Sequence, residues 1–82
     1  MSSTEFQALE RQGYFSLREL EDGTVVGLGK LLYTTALFIG LTQYGFERRY
    51  CYPETAQAKK ALDLLVTGDD EPARGYVARR MG

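Results

Sequence analysis

The sequence predicts a small α+β domain with an antiparallel sheet of three or four strands in meander order, a short N-terminal helix, and a C-terminal helix packed on one face of the sheet. Asp22-Gly23 separates two strand-like runs, which is a strong short-range signal for a β-hairpin. The run 32–41 is apolar on both faces of an extended chain, as in a central strand. After Pro53, apolar residues recur at helical spacing, at Ala58, Ala61, Leu62 and Leu65.

The 82 residues leave room for one domain with one core. Gly13 is expected to end the first helix and Gly68 to cap the second. Residues 75–80 of the tail either add a short edge strand or stay mobile. The predicted segments are, in chain order, 1–13 (helix), 14–52 (sheet), 53–67 (helix) and 68–82 (tail).

Two glycines interrupt the strand that returns from the hairpin turn. Gly27 and Gly29 predict a bulge or a close approach of the backbone. A phosphate-binding loop is the alternative, but a dinucleotide fingerprint needs a third glycine and a following helix. In the next, central strand, alternation places Thr35, Leu37, Ile39 and Leu41 on one face and Ala36, Phe38 and Gly40 on the other.

The last predicted strand, 46–52, follows a turn at 42–45 and carries the most distinctive chemical group of the sequence. Arginine and aromatic residues on a sheet can bind single-stranded nucleic acid, because bases stack on rings and guanidinium groups pair with phosphates. The same residue types are enriched in the hot spots of protein–protein interfaces. The simpler alternative is packing within the strand. We expect Phe46, Arg48, Tyr50 and Tyr52 on one face and Glu47, Arg49 and Cys51 on the other.

The charge balance ranks the classes of partner. Ten Lys and Arg against eleven Asp and Glu give a net charge of −1 and a pI near 5.3. A dedicated nucleic-acid binder usually carries a basic excess, because phosphate neutralisation supplies much of its affinity. We therefore expect a protein partner, or a second copy of the chain, ahead of nucleic acid.

The residue inventory argues against an enzyme. The chain has no histidine, so Ser–His and Cys–His nucleophiles and the commonest metal ligand are excluded. One cysteine cannot build a zinc or iron–sulfur site within a monomer. Asp69, Asp70 and Glu71 offer oxygen ligands for a hard cation, but they lack the spacing of a calcium loop and favour a solvated turn. We expect no catalytic residues, no cofactor and no metal.

The single cysteine, Cys51, also bears on the compartment. It permits no internal disulfide, which favours a reducing environment. We expect it to be a small buried hydrophobic residue, the alternative being a reactive thiolate beside Arg49. Residues 1–5 lack the pattern of a secretory signal, and the longest apolar run is shorter than the ~20 residues needed to cross a bilayer. These features predict a cytoplasmic protein with no membrane partner.

Part of the chain carries a distinctive pattern: Gly29-Lys30-Leu31-Leu32-Tyr33-Thr34-Thr35-Ala36, a Gly-Leu pair at 40–41, Tyr44-Gly45, and Arg49-Tyr50-Cys51-Tyr52 before an Ala-rich helix. The resemblance is to a group of short proteobacterial and prophage proteins. It covers roughly residues 25–75. The resemblance implies a bacterial or phage source and no particular activity.

The expected function is therefore non-enzymatic binding or regulation through protein contact, by an accessory protein of bacteria or phages. The candidate binding residues are Arg48, Arg49, Tyr50 and Tyr52, and the alternative is binding of single-stranded nucleic acid or a nucleotide through the same residues. The C-terminal helix covers only one face of the sheet. The other face must be covered by the N-terminal helix or by a second copy, and the second option predicts a homodimer.

Overall fold

The structure, a computed structural model, describes residues 3–72 and 75–76. Its four strands form one antiparallel sheet in the order β1-β2-β3-β4, which confirms the predicted α+β class and meander topology. No helix in the described part of the chain is long and apolar enough to cross a membrane. The elements are α1 (Ser3–Arg11), β1 (Tyr14–Glu19), β2 (Val25–Lys30), β3 (Thr35–Ile39), β4 (Arg48–Tyr52) and α2 (Thr55–Asp63).

The two helices cover opposite faces of the sheet. On the α2 face, the apolar stripe of the helix packs against alternate residues of β2 and β3, represented by Val26, Leu28 and Leu37. On the α1 face, Leu9 of the helix belongs to a second buried cluster with Val25 and other strand residues. Because side chains alternate along a strand, every residue of β3 is buried on one face or the other.

The α1 face has a second cover, the β3–β4 loop (40–47). Leu41 is buried against β2, and Phe46 packs on Phe38 with ring centroids 4.7 Å apart. The Gln12 side chain donates a hydrogen bond to the carbonyl oxygen of Gln43 at 3.3 Å, which joins the loop to the end of α1. The chain itself therefore covers the α1 face, for which a second copy was considered. A dimer is not needed to shield that face from water.

The two glycines of β2 allow close approach, as the sequence predicts, while the bulge lies on the neighbouring strand. Ser16 and Leu17 of β1 together oppose Gly27, and Ser16 has a φ of +53°. A Cβ at Gly27 would lie 2.7 Å from Leu17 Cδ2, and one at Gly29 would lie 2.8 Å from Phe38 Cε2. The missing side chains thus make room for large residues of the α1 face.

The central strand is shorter than predicted, and the residues at both ends of the predicted run lie in loops. Leu32 lies in the β2–β3 loop (31–34) and is 83% exposed. Leu41 lies on the α1 face, together with Phe38, and not with Leu37 and Ile39 as predicted. The reason is Gly40, whose φ of +76° turns the chain out of the strand and breaks the alternation. Phe46, predicted on the same face as Arg48, packs on the α1 face because it lies in the loop before β4 begins, where strand alternation does not apply.

The second helix is also shorter than the predicted segment 53–67. It begins at Thr55 after the extended residue Glu54, and it ends at Asp63 with Leu64 as the C-cap, so Gly68 is not the cap. The guanidinium of Arg18 instead donates to the last carbonyls of the helix, at 2.9 Å to Leu62. This contact ties β1 to the C-terminus of α2.

The first helix ends as predicted, and the tail is described only in part. Gly13 follows α1 with a φ of +104°, as expected of a helix-terminating glycine. Gly75 and Tyr76 are the described residues of the tail beyond Pro72, and Tyr76 packs against β4. The edge strand predicted for the tail falls mainly on residues 77–80, which lie outside the described residues.

Candidate interaction surface

The strand β4 carries all four candidate binding residues and divides them between the two faces of the sheet. Arg48, Tyr50 and Tyr52 lie on the α2 face, while Arg49 lies on the α1 face. This alternation agrees with the predicted faces. It also means that the four side chains do not form one common platform.

The Arg48 side chain is engaged within the molecule. Its guanidinium donates to the carbonyl oxygens of Gly68 and Asp70, the second at 3.1 Å, and to the Tyr50 hydroxyl at 2.9 Å. The guanidinium carbon also lies 5.7 Å from the centre of the Tyr50 ring. Arg48 therefore fastens the segment after α2 to the sheet, and a ligand would have to displace these contacts to reach it.

The two tyrosines of β4 belong to an aromatic cluster with Tyr76. The Tyr76 ring lies 4.9 Å from Tyr50 and 6.0 Å from Tyr52, edge to face in both pairs. Tyr52 is only 1% exposed. Burial, together with the nearby Tyr76 and Tyr50 hydroxyls, raises the pKa of Tyr52 to about 12. Its ring is part of the core and offers no free face for a base.

Arg49 is the one candidate residue whose side chain is exposed. It lies opposite Phe38 in the β3–β4 register, and Phe46 packs on that same phenylalanine. Arg49 and the half-exposed Phe46 thus flank one buried ring on the α1 face. Cys51, next on this face, is 4% exposed and packs in the α1-face cluster, as the sequence predicts for a small hydrophobic residue.

The largest exposed apolar side chains near this site lie on two loops. Leu32 and Tyr33 of the β2–β3 loop are 83% and 86% exposed. Tyr44 and Phe46 of the β3–β4 loop are 89% and 44% exposed. We call these residues the loop surface. Sequence reasoning missed the exposure of Leu32 and Tyr33 because no glycine, proline or asparagine marks the turn at 31–34, and the apolar run therefore resembled a strand.

A hydrogen bond places the tip of the β3–β4 loop near the α1–β1 junction. Gln12 lies just before β1, whose Tyr14 pairs with Gly29 near the end of β2. The Gln12 side chain donates to the carbonyl oxygen of Gln43 at the tip of the β3–β4 loop. The α1–β1 junction itself lies at the end of the sheet where the β2–β3 loop begins.

The acidic segment after α2 binds main-chain groups. The Asp70 carboxylate accepts hydrogen bonds from the N–H groups of Val66 and Thr67 at 2.8 and 3.1 Å, and these bonds lower its pKa. Asp22 accepts a bond from the Gly68 N–H at 2.8 Å. Among the described residues no group of three or more His, Cys, Asp or Glu could hold a metal ion. The carboxylates of Asp70 and Asp22 therefore stabilise this segment by accepting main-chain hydrogen bonds.

No protein-family model, curated protein or solved structure matches the chain.

Proposed function

We propose that the chain is a non-enzymatic accessory protein that binds a protein partner through the loop surface. The observation that carries the proposal is the exposure of Leu32, Tyr33 and Tyr44, each above 80%, beside a core in which other large apolar side chains are almost completely buried. Burying one such side chain in an interface stabilises it by about 1.5–3 kcal/mol. Aromatic residues of this kind are frequent anchors of protein interfaces.

The geometry supports a protein partner more strongly than single-stranded nucleic acid. Stacking platforms need accessible rings beside free cations. Tyr52 is buried, and Arg48 is bound to main-chain carbonyls. Leu32 offers no aromatic face, and the net charge of −1 provides no phosphate-attracting excess. The buried Cys51 suits a reducing compartment, and we place the protein in the cytoplasm of a bacterium or an infected bacterial cell.

The proposal is tested by quantitative capture from bacterial lysate on immobilised protein. The double variant Leu32→Ser/Tyr33→Ser should lose the specific partner that the wild-type chain retains. The matched control is Leu64→Ser/Val66→Ser, which removes exposed apolar side chains, 63% and 46% exposed, near the other end of the sheet. Retention of the partner by the loop variant, or equal loss by the control, would contradict the proposal.

A second measurement addresses nucleic acid directly. Fluorescence anisotropy with a labelled single-stranded oligonucleotide of mixed sequence should show no binding at low salt. Salt-dependent binding that is lost in Arg49→Ala would replace the proposal with the nucleic-acid alternative, because Arg49 is the exposed arginine of the site.

A further inference from the structure

The hydrogen-bond alternation of the sheet shows which main-chain groups of β4 face outward. The N–H of Gly40 donates to the Val25 carbonyl at 3.0 Å, and the N–H of Leu31 donates to the Thr34 carbonyl at 2.8 Å. The pairs 25/40 and 31/34 continue the β2–β3 register by one position at each end. In an antiparallel ladder, hydrogen-bonded pairs alternate with non-bonded pairs. The even-numbered residues of β3, such as Phe38, therefore bond to β2.

The odd-numbered residues of β3 must then bond to β4. Thr35, Leu37 and Ile39 have Tyr52, Tyr50 and Arg48 as their register partners. The main-chain groups of the two residues between them, Arg49 and Cys51, consequently point away from the sheet. No described strand lies beyond β4, and no described residue bonds to these groups.

The two edges of the sheet differ in their capacity to add a strand. The outer edge of β1 is interrupted by the bulge at Ser16, and bulges protect edges from pairing. The β4 ladder runs through five consecutive register pairs without a shift. A regular edge with outward N–H and C=O groups is a template for another strand.

We propose that a second copy of the chain occupies this edge, with its β4 antiparallel to the first, so that the two sheets join into one continuous sheet. This interface is separate from the loop surface and does not rest on the proposed function. The balanced net charge of −1 gives little repulsion between copies.

The sequence of β4 selects one register for this pairing. Residues whose main-chain groups face outward must pair with each other at hydrogen-bonded positions. Pairing Arg49 with Cys51 of the second copy meets this condition, and the two-fold axis then generates the same pair on its other side. A shift in one direction places the two Arg49 residues opposite each other, which is unfavourable. A shift in the other direction places Arg49 opposite Pro53, which has no N–H to donate. In the selected register the two Tyr50 residues lie opposite each other as a cross-strand aromatic pair.

The first test is sedimentation velocity at tens of micromolar protein. Arg49→Pro removes the outward N–H without removing a bond to β3, and proline is tolerated at such edge positions. The matched control Arg49→Ala keeps the N–H and loses only the side chain. We expect the wild type and Arg49→Ala to be dimers and Arg49→Pro to be a monomer, with circular dichroism showing that all three are folded.

A second test needs no variant. Amide hydrogen exchange of the wild type is measured by NMR over a dilution series. The Arg49 and Cys51 amides should exchange roughly tenfold more slowly when most chains are dimeric, while the Tyr50 amide, which bonds to β3, is protected throughout. A monomer at every concentration, a dimeric Arg49→Pro, or exchange at 49 and 51 that does not depend on concentration would each overturn the proposal.

Discussion

The carboxylate of Asp22 accepts a hydrogen bond from the main-chain N–H of Gly68 at 2.8 Å. The contact joins the β1–β2 turn to the segment after α2. A second oxygen of the same carboxylate accepts a bond from the N–H of Thr24 at 3.0 Å. Bonds from Gly68 and Thr24 lower the pKa of Asp22, because they stabilise the charged form.

This relationship predicts a loss of stability in acid. The folded-state pKa of Asp22 lies below the ordinary value of 3.8, as does that of Asp70. Their contributions are therefore complete above the ordinary value and disappear as the pH falls through the lower folded-state values. We expect the thermal midpoint to fall as the pH drops below the ordinary carboxyl value of 3.8, and Asp22→Asn to weaken this dependence. The exposed Asp69→Asn serves as the control, and an unchanged acid profile in Asp22→Asn would contradict the assignment.

The bonds of Arg48 predict a difference between two neighbouring arginines. Arg48→Met should lower the free energy of unfolding by about 1.5–3 kcal/mol, because hydrogen bonds to a charged group contribute this much. Arg49→Met removes an exposed side chain and should change it by less than about 0.5 kcal/mol. Urea unfolding at low protein concentration measures both. Equal effects would show that the contacts of Arg48 with Gly68 and Asp70 contribute nothing particular.

Alanine substitutions at two glycines with positive φ distinguish the cost of backbone strain from the cost of steric overlap. Gly40 and Gly23 have φ values of +76° and +86°. A Cβ at Gly40 would lie 2.7 Å from Glu47 Cγ, whereas one at Gly23 would have no atom within 4 Å. Gly23→Ala should cost about 1–2 kcal/mol for the left-handed conformation. Gly40→Ala should cost more, and unfolding curves that rank the two in the opposite order would refute the described course of the β3–β4 loop.

Tyr52 predicts a dependence on alkaline pH. Burial, followed by the neighbouring Tyr76 and Tyr50, raises its pKa from 10.0 to about 12. A raised pKa means that the stabilisation is complete below the unfolded value and is lost as the pH rises from 10 towards 12. Tyr52→Phe should therefore show a shallower loss of stability in this range. The readouts are ultraviolet absorbance of ionised tyrosine and unfolding at each pH, and identical slopes for the two proteins would rule out the burial effect.

The sequence predicted those features that depend on local patterns. The turn at Asp22-Gly23 and the opposite faces of Arg48 and Arg49 follow from turn chemistry and from the period of a strand. It could not place Leu32 and Leu41, since both belong to one continuous apolar run. The hydrogen-bonded pair Leu31–Thr34 ends that run on one side, and the conformation of Gly40 ends it on the other. Both depend on the register with β2, which local pattern does not determine.

The candidate site shows the same division. An arginine between aromatic residues predicted a chemically competent strand face, and the strand is where it was expected. The partners of Arg48 lie 20 and 22 residues further along the chain, so no local signal could reveal that its guanidinium is already bound. Arg49, with the same local neighbourhood, is exposed. The difference between the two arises because the segment after α2 supplies carbonyl oxygens to Arg48.

The β3–β4 loop covers the α1 face of the sheet in addition to connecting two strands. Most surface connections accept insertions and deletions easily, because their removal uncovers nothing. Here, lengthening or trimming 40–47 would shift Leu41 and Phe46 away from β2 and Phe38 and admit water to the α1 face. Peptide insertions should consequently be tolerated at Tyr33 and rejected at Leu41, although both positions lie in loops. The length of the β2–β3 loop is therefore free to vary during evolution, whereas the length of the β3–β4 loop is constrained by the face that it covers.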